Sequence, residues 1–269
     1  MNSIKEFKIR IPEIISINWL GFYTLYKKEV LRFCNVWAQT ILAPVITLSL
    51  FLMVFTLALS GNRSDVLGFP YSTFILPGLI CMQVLQNSFA NTSSSLMIAK
   101  IQGNIVDILF PPLSPMEVTS AMLLGGITRG VMVGAFSVLV VIPFTQVPIH
   151  NFFIILIFAT LGSSMLACLG FMAGLWALKF DHMATVTNFI IVPLSFLSGT
   201  FYSLKNLHSV FFYISHLNPF FYSIDGFRYG FLGQSDGPIL FGFFYLLFVN
   251  MVLWFTCYML FKKGYRIKS

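Results

Sequence analysis

Of 269 residues, 57% are hydrophobic and only 9% charged, and the mean hydropathy is +0.85. A soluble domain carries about 25% charged residues, so the composition excludes a soluble globular fold and leaves an integral membrane protein with one membrane domain. The net charge of +7 does not signal nucleic acid, because the basic residues sit beside apolar runs, where membrane topology places them.

Residues 1–12 form a polar, basic tail (Lys5, Lys8, Arg10), expected to be disordered. Residues 13–35 read as an amphipathic helix lying in the membrane interface. Trp19, Phe22, Tyr23, Tyr26, Val30 and Phe33 recur at helical spacing, with Thr24, Lys28 and Arg32 on another face. The alternative is the solvated start of the first span. The first long apolar run begins near Val36. That is too late for a cleavable signal, which occupies about the first 15–30 residues, so the run is expected to stay in the membrane.

Residues 36–269 are expected to form a single transmembrane domain. Six apolar runs reach the roughly 20 residues needed to span: Val36–Leu59, Phe74–Ser95, Val118–Ile142, Phe152–Leu178, Ala184–Leu204 and Ile239–Phe261. An even number puts both termini on one side. Six Lys/Arg precede the first span (Lys5, Lys8, Arg10, Lys27, Lys28, Arg32), and four follow the last (Lys262, Lys263, Arg266, Lys268). Lys100 and Lys179 join them in connections on that side, against Arg63, Lys205 and Arg228 opposite. The positive-inside bias makes both termini cytoplasmic.

The second span carries Gln83, Asn87 and Asn91 one turn apart, with Gln86, Ser94 and Ser95 nearby. Such a stripe avoids lipid. It is either the wall of a substrate path or a set of interhelical hydrogen bonds. In the following connection, Gly103-Asn104 can start a short helix with Asn104 as N-cap and Asp107 in its first turn. Ile105, Ile108 and Leu109 make one side apolar, and Pro111-Pro112 ends the helix after Phe110. A half-apolar helix projecting into the cytosol is a docking feature; the plain alternative is a surface loop.

The third span places Gly126, Gly130 and Gly134 on one close-packing face and Arg129 near its middle. An arginine at that depth costs about 2.5–3.5 kcal/mol and needs a wet cavity or a partner. The fourth span repeats the small-residue theme with Ser163, Ala167, Gly170 and Gly174. Pro193 predicts a kink in the fifth. Between it and the uniformly apolar last span lie two apolar pieces, about Leu207–Leu217 and Phe220–Leu232, separated by Asn218-Pro219. Both are too short to span and read as a re-entrant pair dipping from the outer side. Asp225 and Arg228, three apart, are placed to pair on one helical face.

No phosphate-binding G-x-x-x-x-G-K-[ST] loop occurs, so the chain carries no recognisable ATP grip. There is no H-E-x-x-H, no G-x-S-x-G and no metal-like cysteine spacing. Cys34, Cys81, Cys168 and Cys257 read as reduced packing residues. No metal and no bound cofactor is expected.

The run Leu197-Ser198-Gly199-Thr200-Phe201-Tyr202, then Leu217-Asn218-Pro219-Phe220, then Gly226-Phe227-Arg228-Tyr229-Gly230-Phe231-Leu232-Gly233 resembles the C-terminal signature of ABC-2-type permeases, from about Trp19 to the end. The resemblance implies an all-α membrane fold of six transmembrane helices in a bacterial inner membrane. It adds an N-terminal interfacial helix, a cytoplasmic coupling helix and a re-entrant pair before the last span. It implies a second permease copy, as homodimer or paired with a similar chain, and ATPase subunits that carry the ATP. Residues Gly103, Asn104, Ile105, Asp107, Ile108, Leu109 and Phe110 would then be the coupling helix that sits on the ATPase. Gln83, Asn87, Asn91 and Arg129 are candidates for the substrate path, and Asn218, Pro219, Asp225 and Arg228 for the outer gate. Export of an amphipathic cargo is the implied activity, with no catalysis by this chain. A carrier or channel without an ATPase, a membrane enzyme using His208 and His216, and a scaffold are the rivals. Against an ion-coupled carrier, no Asp or Glu lies deep within a predicted span.

Overall fold

The computed structural model describes residues 17–59, 66–145, 147–204 and 214–266, and these are helical apart from turns and one isolated bridge, Val66 to Phe69. The basic tail, the start of the interfacial helix and most of the first re-entrant piece lie outside the described residues, as do Arg63, Lys205 and His208.

The first helix, α1 (Trp19–Cys34), starts where Asn18 Oδ1 accepts from the Gly21 N–H at 2.9 Å. A π turn at Ala38–Leu42 leads into α2, Ala43–Leu59. Helix α3 (Tyr71–Ile101) has 31 residues. At about 1.5 Å per residue it runs roughly 46 Å, well beyond a hydrocarbon core of about 30 Å, and the short α4 (Val106–Leu109) follows its far end. Helix α5 (Pro115–Val141) opens with a full capping box, Ser114 with Glu117. A 3-10 turn at Ile142–Phe144 ends it, and α6 (Phe152–Trp176) follows, capped by Asn151.

Among the described residues, five helices are long and apolar enough to cross a membrane: Ala38–Phe55, α3, α5, α6 and the last one. The segment expected as the fifth span is broken into α7 (Phe180–Val186), a π turn (Thr187–Ile191) and α8 (Val192–Phe196). Helix starts at Phe180 rather than Ala184 and stops at Phe196 rather than Leu204. Gly199 turns left-handed at φ +73°, and Thr200 Oγ1 donates to the Ser195 carbonyl at 2.7 Å, which ends the helix. The π turn just before Pro193 is the local irregularity that its ring imposes. Helix α9 (Pro219–Leu232) and helix α10 (Ile239–Lys262) complete the fold.

Helix α3 is the hub, packed between α5 and α6. The small residues let it be. A Cβ at Gly130 would fall 1.9 Å from Ser88 Oγ, and one at Gly170 would fall 2.4 Å from the Phe89 carbonyl oxygen. Thr92 Oγ1 locks the contact, donating to the Ala167 carbonyl at 2.8 Å. Lys100, at the end of α3, donates to the terminal carbonyls of α6 at Leu175 (2.7 Å) and Ala177 (2.6 Å). Helix α10 is not uniformly apolar as expected: Asn250 is buried and donates to the Leu161 carbonyl at 3.1 Å. The four cysteines are free, and Cys81, Cys168 and Cys257 are buried.

Candidate functional site

Three regions hold the residues singled out from sequence. The first is a polar cleft where α1 crosses α3 and α5. Helix α1 buries Leu25, Glu29 and Phe33, while Trp19 and Tyr23, read as part of the apolar face of an interfacial helix, are exposed. The stripe packed against the protein is thus a different one from the aromatic face, and the two share Phe33. Glu29 is 2% exposed and lies against Gly125, where an added Cβ would be 2.7 Å from its own. It accepts from Ser95 Oγ at 2.7 Å and pairs with Arg32 at 3.1 Å. Arg32 reaches on to α3, donating to both oxygens of Asn91 at 2.9 Å. One turn along α3, Asn87 Oδ1 accepts from Arg129 at 3.2 Å. Asn87, Asn91 and Arg129 are thus brought together, with Gln83 half-buried one turn further on. Gln86 and Ser94, on the flank of the same stripe, line a cavity of about 210 Å³ against Phe180 and Met183. Glu29 and Arg32 as members of this cleft were missed, although the i, i+4, i+8 spacing of Leu25, Glu29 and Phe33 carried the signal.

The second region is the connection from α3 to α5. Helix α4 begins one residue later than expected, with Ile105 rather than Asn104 in the N-cap position and no side-chain cap. The left-handed Gly103 (φ +75°) reverses the chain, and the Asn104 side chain turns to Gln102 at 3.3 Å instead. Asp107 stands in the first turn of α4. Ile108 is buried in a cluster with Leu96, Val118 and Phe171, and Ile105 packs against that cluster. Val106, Leu109 and Phe110 are exposed, Phe110 to 86%. The connection is also clamped to α1. Glu117 accepts from the Asn18 N–H and from the Ser114 N–H, each at 2.6 Å, and Leu113 abuts Gly21. Glu117 was another omission; its S-x-x-E spacing after Ser114 was visible.

The third region gathers the quoted signature. Arg228 is 1% exposed, donates to the Gly199 carbonyl at 2.6 Å and lies 4.0 Å over the Phe74 ring. Its ion pair is with Asp236, at 4.0 Å. The expected direct pairing with Asp225 is replaced, because Asp225 accepts from the backbone N–H groups of Asp236 and Gly237 at 2.9 and 3.0 Å. Asp236 also takes the Ser203 hydroxyl at 2.5 Å and the Leu204 N–H at 3.1 Å. Asn218 caps α9 by accepting from the Phe220 N–H, and donates to Ser198 Oγ at 2.8 Å. Pro219 follows at the first helical position, where a missing N–H costs nothing. Asp236, in an ordinary polar turn, carried no signal. His216 lies against the rings of Phe221 and Tyr222.

No cluster of three or more His, Cys, Asp or Glu able to hold a metal occurs among the described residues. The three regions supply buried charge held by hydrogen bonds, an exposed apolar edge, and clamps between elements. In sequence comparisons, the ABC-2 type transporter family matches residues 21–232. Two curated relatives carry the name inner membrane transport permease YadH, from Escherichia coli K12 and Shigella flexneri. Each is 34% identical over 256 residues, covering 95% of this chain and the whole relative. The chain belongs to the ABC-2 type transporter family.

Proposed function

We propose that this chain is the permease subunit of an ATP-driven exporter, six spans and a re-entrant pair in a bacterial inner membrane with both termini in the cytosol. The membrane follows from the name of the YadH relatives and the orientation from the Lys/Arg bias. Two permeases, taken as a homodimer, form the path, and separate ATPase subunits hold the ATP. The broken run from Phe180 to Phe196 acts as the fifth crossing. Gln83, Asn87, Asn91 and Arg129 line the path, and the Arg228 knot holds the outer gate with Asn218, Pro219 and Asp225.

One observation carries the reading. The segment 103–110 is anchored by buried Ile108 yet offers Val106, Leu109 and Phe110 to whatever lies beyond the membrane. An exposed aromatic at the end of a projecting loop suits the cleft of a partner protein. Through Glu117 the same connection is hydrogen-bonded to the start of α1, so a push on α4 would reach the interfacial helix and the polar cleft behind it. A carrier or scaffold has no use for such a lever. The test is co-purification of an ATP-binding subunit with the tagged chain. The double variant V106D/F110D is expected to lose that subunit while remaining monodisperse. Full cargo movement by the permease without any ATPase would refute the proposal.

A further inference from the structure

We infer that the cleft between α1, α3 and α5 binds an anion of the phosphate class, free or as the head group of an amphipathic molecule, with Arg129 as its main contact. This rests on the substrate-path reading above and supplies its ligand chemistry.

Charge balance motivates it. The cleft holds two cations, Arg32 and Arg129, and one carboxylate, Glu29. Both Glu29 oxygens are engaged, one by Ser95 and the other by Arg32. Arg129 is left with one hydrogen bond to the neutral Asn87 amide, and its Nε is buried with no partner. Asn91, fully buried one turn away, has an unpartnered Nδ2 as well. Every unmet group here is a donor. An arginine inside a bilayer needs a partner or water.

The other carboxylates that the structure describes are committed or distant. Glu117 caps α5, Asp225 and Asp236 serve the Arg228 knot, and Asp107 and Asp181 sit at the starts of α4 and α7. The missing anion is therefore assigned to a bound molecule. A phosphate offers acceptors to the planar Arg129 fork and to Asn91 together. Arg129 lies one turn along α5 from Gly125, where α1 docks, and part of the residue is exposed although its Nε is not. A head group there would lie beside the interfacial helix with its tails in the bilayer.

The test uses the full chain purified in detergent, followed by thermal unfolding during titration with phosphatidylglycerol, phosphatidylcholine or inorganic phosphate. A saturable rise in Tm with phosphatidylglycerol but not phosphatidylcholine supports a lipid-borne anion; an equal rise with inorganic phosphate supports the free one. In either case R129Q is expected to shift the midpoint concentration about tenfold upward. R129K keeps the charge without the fork and is expected to give a smaller shift in the same direction, which preserves the test if R129Q fails to fold. Identical titrations for wild type and both variants, or no response to any anion, would overturn the inference. No ATPase is present, so this outcome is independent of whether V106D/F110D sheds its partner.

Discussion

Arg228 and Asp236 show how much rests on a single buried charge. Arg228 touches α3 through Phe74, the turn after α8 through Gly199, and the turn after α9 through Asp236. Arg228→Leu keeps an apolar stem in part of the space but leaves the Asp236 carboxylate buried without its cation. Removing one member of such a pair costs roughly 3–5 kcal/mol. The expected result is a much lower unfolding temperature by fluorescence-detected size exclusion; an unchanged Tm would show that solvent already screens the carboxylate. The arginine and Asp225 were both visible in the sequence as candidates. Their arrangement was not, because Asp236 reaches Arg228 through a turn whose course depends on Asp225 accepting its backbone N–H groups. Periodicity reports neighbours along a helix and says nothing of such a loop.

Among the elements, the clamp between α1 and the α4 connection makes the sharpest prediction. Glu117→Ala removes half of a capping box and the acceptor for Asn18, a stability loss of about 1 kcal/mol. Because Val106 and Phe110 are untouched, the ATPase subunit is expected to remain bound while cargo-stimulated ATP hydrolysis falls. Equal stimulation in the variant would show that α1 is not part of the lever. The long apolar helices were legible because a bilayer demands length and hydropathy, both one-dimensional quantities. The face that α1 buries was not. Hydrophobic periodicity picks out Trp19 and Tyr23, which are exposed, and passes over Glu29, a carboxylate that is buried because Ser95 and Arg32 satisfy it. The run from α7 to α8 stops short of the expected Leu204, because the turn at Gly199 and the hydroxyl bond of Thr200 decide where it ends.

At the scale of the whole molecule, the helices are graded from hub to rim. Helix α10 shows Leu240, Phe244, Phe248 and Met251 outward. Helix α3, with its buried asparagines and serines and Thr92, lies at the centre. The glycine and serine stripes of α5 and α6 fit this scheme, since both press on α3 within one chain. They bind the bundle internally, which leaves any seam between two copies to other surfaces.

The central position of α3 bears on how the chain enters the membrane during synthesis. Of the five long apolar helices described, α3 is the least apolar and α6 the most, so the second of them to emerge from the ribosome is the one that partitions least readily into lipid alone. A nascent chain cut after residue 101 is expected to be retained poorly by the translocon, whereas one extended through residue 176 should be stably integrated. Glycosylation-site mapping of the two lengths would reveal whether the later helices recruit their own hub.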